Sequence, residues 1–335
     1  MNSESWLHSA LPVLICPLTA IVSAVLVRIM SRVGIMDVPA GRSAHDRPVP
    51  KGGGVGVMTA LLVFLPALRM VAGLPVLSAD FVTLWLASAG LAAFSWADDV
   101  YQWPPASKLL AQAIAALVIV AGSGLSPAMM AAAFLWLMLA TNAINFMDGL
   151  NGLISGSLFL AGFCVAYLTI LPDPFCAGVV LAAALAGFLP FNFPYARIFL
   201  GDAGSQGIGL FFAALAVVPP GPGYFPTAIL VPALLSGLLY DVLFTLVRRA
   251  RAGDRLMQAH RGHLYQIAHR AGMSPVVITL IHWGFVLWGA ICTYIVAPGY
   301  SAAEAMKLIA LLLVPQIIWT FCAARIAGRT RVGRW

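Results

Sequence analysis

Apolar runs of about 20 residues recur along the whole chain, and that length restricts the folds open to it to those that cross a lipid bilayer. Eleven such runs can be marked, at 8–30, 53–72, 79–97, 107–123, 125–143, 153–171, 175–193, 204–219, 226–248, 274–297 and 304–327. In hydrocarbon the backbone N–H and C=O groups must be paired within the segment, so runs of this length read as helices. Only 9% of the 335 residues are charged and 61% are hydrophobic, against about 25% charged in a soluble domain. Little chain is left for a soluble unit. The expected fold is an all-α polytopic membrane protein of ten or eleven transmembrane helices, with one domain over residues 1–335.

Lys and Arg in short loops stay on the cytoplasmic side. With eleven spans, 17 of the 19 Lys and Arg residues fall on one side, and only Arg69 and Lys307 on the other. The N-terminus is therefore expected outside and the C-terminus in the cytoplasm. The net charge of +7 is topology first, with attraction to anionic lipid and to a phosphorylated substrate as further readings. Nucleic acid is not an expected partner, because these charges sit in short loops between spans. Cys16, Cys164, Cys176, Cys292 and Cys322 lie in apolar runs without paired spacing, so neither a disulfide framework nor a zinc site is supported. The first run is too long for a signal-peptide core and runs into Arg28 and Arg32, and it reads as uncleaved. A tight outside turn is expected at 219–226.

Six polar stretches interrupt the apolar pattern, at 42–54, 98–108, 142–152, 192–204, 248–255 and 260–266, and the same count puts them on one face. Asp98 and Asp99 end the third run. Carboxylates there must face water, a metal or a cation, and adjacent residues on a helix diverge by about 100°, so the two need not share a ligand. Lys108 returns to the same end; an interfacial helix end with a snorkelling Lys is the plain alternative. Asn142, Asn145, Asp148 and Asn151 recur every third residue and end in Gly149 and Gly152. Carboxamides and a carboxylate with close backbone approach suit a metal–diphosphate and a nucleobase edge; a polar helix-packing seam is the alternative. Asp202 stands among Gly201, Gly204, Gly207 and Gly209. It reads as a helix N-cap or as a further hard oxygen for Mg²⁺, with the glycines letting backbone approach a ligand. His260, Arg261 and His263 suit a phosphate leaving group or simply mark a basic loop. Arg42, His45, Arg47 and Lys51 before three glycines read as a rim for an anion or as a flexible loop. Asp241, inside the ninth run, is structural or lines the site.

Taken together, DD with a Lys nine residues on, NxxNxxDGxNGL, FLGDAGS and HRGH resemble the polyprenyl-phosphate N-acetylhexosamine-1-phosphate transferases, from residue 42 to residue 266. The resemblance implies binding of a UDP-N-acetyl amino sugar from the cytoplasm of a bacterial inner membrane. It further implies Mg²⁺, with Mn²⁺ able to substitute, and transfer of sugar-1-phosphate to undecaprenyl phosphate with release of UMP. Carried over, Asp202 and Asn145 are the metal ligands, and Asp98 and Asp99 position or deprotonate the lipid phosphate. Lys108 holds phosphate, Asp148 supports the metal and nucleotide, Asn142 belongs to the substrate contacts, and Asn151 lies near the uracil. His260, Arg261 and His263 grip the diphosphate. The chain departs from the usual DGxDG at Asn151 and from a further His pair at Tyr265 and Gln266; the latter resembles the O-antigen-initiating branch. A homodimer is compatible with such a chain. The rival class is a transporter of an anionic solute, but transporters set their sites near the midplane between related halves, and these polar residues gather at span ends.

Overall fold

A computed structural model describes residues 10–33, 35–38, 47–169, 172–217, 226–255, 260–296 and 301–330. Arg42 and His45 of the basic rim, and all but Pro226 of the turn expected at 219–226, lie outside the described residues. The helices run α1 (Ala10–Val33), α2 (Gly53–Val71), α3 (Ala79–Tyr101), α4 (Pro105–Gly122), α5 (Pro127–Met147), α6 (Leu153–Thr169) and α7 (Pro172–Asn192). They continue as α8 (Gly201–Ala214), α9 (Thr227–Leu234), α10 (Ser236–Arg251), α11 (Leu264–Arg270), α12 (Pro275–Val296) and α13 (Ala302–Thr330). Two short strands, β1 (Met36–Asp37) and β2 (Val49–Pro50), pair antiparallel between α1 and α2.

The all-α membrane architecture stands, while the eleven apolar runs divide into different kinds of helix. Eight helices among the described residues are long and apolar enough to cross a bilayer: α1 to α5, α7, α12 and α13. α9 and α10 make a further crossing only as a pair, bent by 64°. Pro232 cannot complete the helical hydrogen bonding, and Ser236 and Gly237 follow at the break, which is where such bends form. α6 has 17 residues and α8 has 14. At 1.5 Å per residue α8 is about 21 Å long, short of a hydrocarbon core of about 30 Å.

α8 is the hub of the bundle. Every residue from Ala203 to Ala214 is buried, packed by α2, α3 and α5. Small residues make this possible: a Cβ on Gly54 of α2 would lie 2.2 Å from the Cα of Gly204, so the two backbones touch. The same economy serves membrane helix pairs in general, since lipid gives apolar side chains no reason to prefer protein over hydrocarbon. Leu61, Leu137, Ile144, Phe188 and Phe212 fill the surrounding core. α1 turns Leu14, Leu18, Ile21, Val25 and Ile29 outward at helical spacing, a stripe suited to lipid.

Long helices reach both ends of the bundle. At one end Arg69, buried, pairs with Asp173 and lies 4.1 Å over the Phe81 ring. The opposite ends of α2, α3, α4, α7 and α8 meet at the polar cleft described next.

Candidate active site

Backbone pairing first brings two loops together. Phe199 N–H donates to Pro50 O (2.8 Å), and Gly53 and Gly54 N–H donate to Phe199 O and Leu200 O (2.9 and 2.8 Å). This seats Lys51 beside the start of α8. Gly201, at φ 72°, makes the turn into the helix, and a Cβ there would come within 3.0 Å of Asp99 Oδ2. Asp99 Oδ2 accepts instead from the N–H of Asp202 (3.0 Å). The first N–H groups of a helix lack internal partners and attract negative charge, and here a carboxylate from α3 answers one of them. The expectation that Asp202 is itself the N-cap is therefore corrected: Leu200 holds that position, with no side-chain cap bond.

The two adjacent aspartates diverge, as helix geometry requires. Asp99 Oδ1 pairs with Lys51 Nζ at 3.0 Å. Asp98 accepts from Trp103 N–H on Oδ1 (2.9 Å) and pairs through Oδ2 with Lys108 Nζ at 2.6 Å. Lys108 also meets Asp202 Oδ2 at 2.6 Å. Two ammonium groups, Lys51 before α2 and Lys108 on α4, thus stand among three carboxylates on α3 and α8. Lys108, expected to hold phosphate, is held here between Asp98 and Asp202.

Asp148 follows α5 as its C-cap and is half-buried on the cleft wall, with no hydrogen bond from its carboxylate to any described residue. Burial, with the Asp202 and Asp99 carboxylates adding to it, pushes its carboxyl up to about 8. Asn145, on the same helix, turns its amide nitrogen to Asp202 Oδ1 (3.2 Å) and Ser205 Oγ (2.8 Å). As placed, its amide nitrogen steadies Asp202. Asn151 lines the cleft and donates to Pro194 O (3.2 Å). Asn142 does not line it. Its amide serves Gln112 Oε1 (2.7 Å) and Met138 O (2.8 Å) between helices, the packing-seam alternative.

The glycines likewise serve packing. Gly204 meets Gly54, Gly207 meets Ala92 and Met58, and Gly209 meets Ile144; Gly149 rests against the Tyr265 hydroxyl and Gly152 against Phe193. Of these, Gly149 is exposed and also lines the cleft.

Arg261 lines the cleft, while its two histidine neighbours face the protein. Asp241, 1% exposed, accepts from the N–H groups of Leu264 and Tyr265 (2.9 and 3.0 Å) and contacts His263 Nδ1 at 3.2 Å. Asp241 thereby caps α11, together with a reciprocal box between His263 and Gln266. His260 Nδ1 accepts from Gly262 N–H at 3.2 Å. Burial first, then His263, Arg249 and Arg248, pushes His260 down to about 4, so it is neutral at pH 7 and shapes the loop. Of the three residues expected to grip a diphosphate, only Arg261 is aimed at the cleft.

The cleft has a volume of about 1020 Å³, at the top of the range for small-molecule sites and roomy enough for a nucleotide sugar. It gathers Asp98, Asp99, Lys108, Asp148, Asn151, Asp202 and Arg261. Lys51, which the sequence offers as part of an anion rim or of a flexible loop, lines it too, as do Trp103, Gln266, His269 and Arg270, to which the sequence assigns no site role. For Lys51 the available signal was a lysine directly before three glycines, where a backbone pressed against a neighbour fixes the side chain's direction. Among the described residues no three His, Cys, Asp or Glu side chains are close enough to hold one metal ion.

Residues 81–219 match the Glycosyl transferase family 4 model. The decaprenyl-phosphate N-acetylglucosaminephosphotransferase of Mycobacterium tuberculosis is 29% identical, over 86% of this chain and 83% of that protein. A probable undecaprenyl-phosphate N-acetylglucosaminyl 1-phosphate transferase of Bacillus subtilis is 27% identical, over 79% of each chain. The undecaprenyl-phosphate alpha-N-acetylglucosaminyl 1-phosphate transferase of Thermotoga maritima is 28% identical, over 80% of this chain and 86% of that one. The matched block holds four of the five cleft aspartates, on α3, α8 and the turn after α5, together with Lys108, while Asp37, Lys51 and Arg261 line the cleft from outside it. The chain is thus a membrane enzyme with a glycosyl transferase family 4 domain at its centre.

Proposed function

We propose that this enzyme transfers an N-acetyl-amino-sugar-1-phosphate from a UDP-sugar to undecaprenyl phosphate, releasing UMP, with Mg²⁺ as cofactor. The observation that carries the reading is the meeting of four carboxylates, Lys51, Lys108 and Arg261 around one cleft at the end of a membrane bundle. An acceptor with a long isoprenoid tail has to be presented at the bilayer surface, and the cleft opens at span ends. The relatives' names support a polyprenyl phosphate acceptor and an N-acetylglucosamine donor. The distribution of 17 basic residues against two supports a cytoplasmic cleft, an outside N-terminus and eleven passes. The Tyr265–Gln266 pair supports initiation of O-antigen or a related surface polysaccharide.

The residues fit a hard dication. Asp148, Asp202 and Asp99 repel one another across one cleft, and Mg²⁺ keeps waters and substrate phosphates in its shell, so it needs few protein oxygens. Asp202 and Asp148 would hold it, and Mn²⁺ suits the same oxygens. When bound, it supplies neutralisation of the donor diphosphate.

Donor and acceptor are both anions, so repulsion has to be removed before phosphorus is attacked. Lys51 and Lys108 stand beside Asp99 and Asp98 and can turn from carboxylate to phosphate. Asp99 orients the lipid phosphate and takes its proton when that phosphate arrives singly ionised. An oxygen of the lipid phosphate then bonds to the β-phosphorus. The bond from that phosphorus to the bridging oxygen breaks, and its electron pair leaves with UMP. Arg261 faces the departing charge.

The test is UMP release by the purified full-length protein in detergent, with undecaprenyl phosphate, Mg²⁺ and a panel of UDP-N-acetyl sugars. Release with one sugar, lost on adding EDTA and in Asp202→Asn and Asp99→Asn, is expected. Silence across the panel with no UDP-sugar binding, beside an active control enzyme, would sink the reading and return the transporter.

A further inference from the structure

Three carboxamides inside the bundle form a one-way hydrogen-bond chain that ends on Asp202. Asn142 of α5 donates to Met138 O (2.8 Å) and to Gln112 Oε1 of α4 (2.7 Å). Gln112 Nε2 donates to Gln206 Oε1 of α8 (3.1 Å), and Gln206 Nε2 donates to Asp202 Oδ2 (3.3 Å). Gln112 and Gln206 are 2% and 1% exposed, and neither lines the cleft.

The polarity of this chain is not free. Met138 O and an ionised Asp202 can only accept. Asn142 must therefore turn its nitrogen to Met138 and, with its second N–H, to Gln112. Gln112 has to answer with its oxygen, which leaves its nitrogen for Gln206, and Gln206 has to answer in the same way. A backbone carbonyl on α5 thereby decides which end of the Gln206 amide meets Asp202. Reversing any one amide would set two oxygens or two N–H groups face to face in a buried place, where an unmet polar group is costly.

We infer that Gln206, Gln112 and Asn142 are positioning residues for Asp202. They hold its Oδ2 edge toward Lys108 while Asn145, itself bonded to Ser205 Oγ, fixes the Oδ1 edge, so the carboxylate meets its ligand without a rotational search. Such preorganisation matters most where charge is handled, because misplacing a reacting group by about 1 Å can cost about a hundredfold in rate. A packing seam alone requires only that each amide be paired somewhere. This chain gives all of them one direction, toward one carboxylate.

The inference rests on Asp202 being the central carboxylate of the proposed reaction, and its test reads the chain separately from that reaction. Gln112→Met keeps the volume and removes both hydrogen bonds; Asn142→Leu removes the anchor. Gln112→Met is expected to lower kcat about tenfold with KM for both substrates within about twofold. It should also weaken Mn²⁺ binding in electron paramagnetic resonance titrations of the metal-free protein. Because the links act in series, Asn142→Leu added to Gln112→Met should cost nothing more in kcat. Without activity or metal, the Asp202 carboxylate stretch, isolated as the infrared difference between wild type and Asp202→Asn, should shift in Gln112→Met. A protein that folds with normal thermal stability but shows an unshifted band and unchanged Mn²⁺ affinity would overturn the inference. Additive kcat losses in the double variant would do so as well. A band shifted in Gln112→Met, beside a wild type that releases no UMP, would sink the reaction and leave the hydrogen-bond chain standing.

Discussion

At the scale of single residues, the cleft holds carboxylates that repel one another. Asp148 has its carboxyl pushed up to about 8 by burial, with Asp202 and Asp99 adding to it, against about 3.9 for a free Asp. The folded state therefore holds a proton that the unfolded chain has lost between about pH 4 and pH 8, and stability falls as pH rises through that window. Asp148→Asn removes this pH dependence. In protein freed of metal and substrate, the variant is expected to melt higher than wild type at pH 7, with a flatter pH dependence between 4 and 8, and to lose transfer. Equal melting profiles across that range would show that Asp148 is ionised at no cost. Asp98, Asp99, Asp148 and Asp202 were legible in the sequence because carboxylates at span ends have no plain reason to be there. His263 and Asp241 were not separable from them by residue type. Only the three-dimensional arrangement shows that Asp241 is spent on capping α11 and that His263 faces it.

At the scale of elements, the apolar runs announced all of the long helices, since a run of about 20 residues admits little else in lipid. What they did not announce was length and straightness. α8 follows a glycine-rich segment that reads as a loop from composition, yet it is helical from Gly201 and stops at Ala214. Its glycines are tolerated because tertiary packing outweighs a propensity penalty of about 1 kcal/mol each. The contact of Gly54 with Gly204 is where α2 meets this helix, and the backbone bonds of Gly53 and Gly54 to Phe199 and Leu200 lie directly beside it. Gly54→Val should push α8 away from α2 and loosen the seat of Lys51. Overpacking of this kind costs about 1–3 kcal/mol, which predicts a lower melting temperature in detergent. The conservative Val57→Ala, in the same helix, only deletes atoms from the core. A Gly54→Val protein as stable as wild type would mean that α2 and α8 separate freely.

At the scale of the molecule, the fold is asymmetric along the bundle axis, and the asymmetry makes the orientation testable. One end gathers Lys51, Asp98, Asp99, Lys108, Asp148, Asp202 and Arg261 around the large cleft; the other has the buried Arg69 with Asp173. Long-range charge counting predicts which end faces the cytoplasm, because Lys and Arg resist translocation, and a UDP-sugar donor demands the same answer from chemistry. Leu77, 87% exposed, sits just before α3 at the Arg69 end, and Tyr195, 81% exposed, follows α7 at the cleft end. In a variant without its five native cysteines, Leu77→Cys should react with a membrane-impermeant maleimide in intact cells. Tyr195→Cys should react only after the cells are opened. The reverse pattern would put the cleft on the outer surface, away from any nucleotide sugar, and the proposed donor would fall with the orientation.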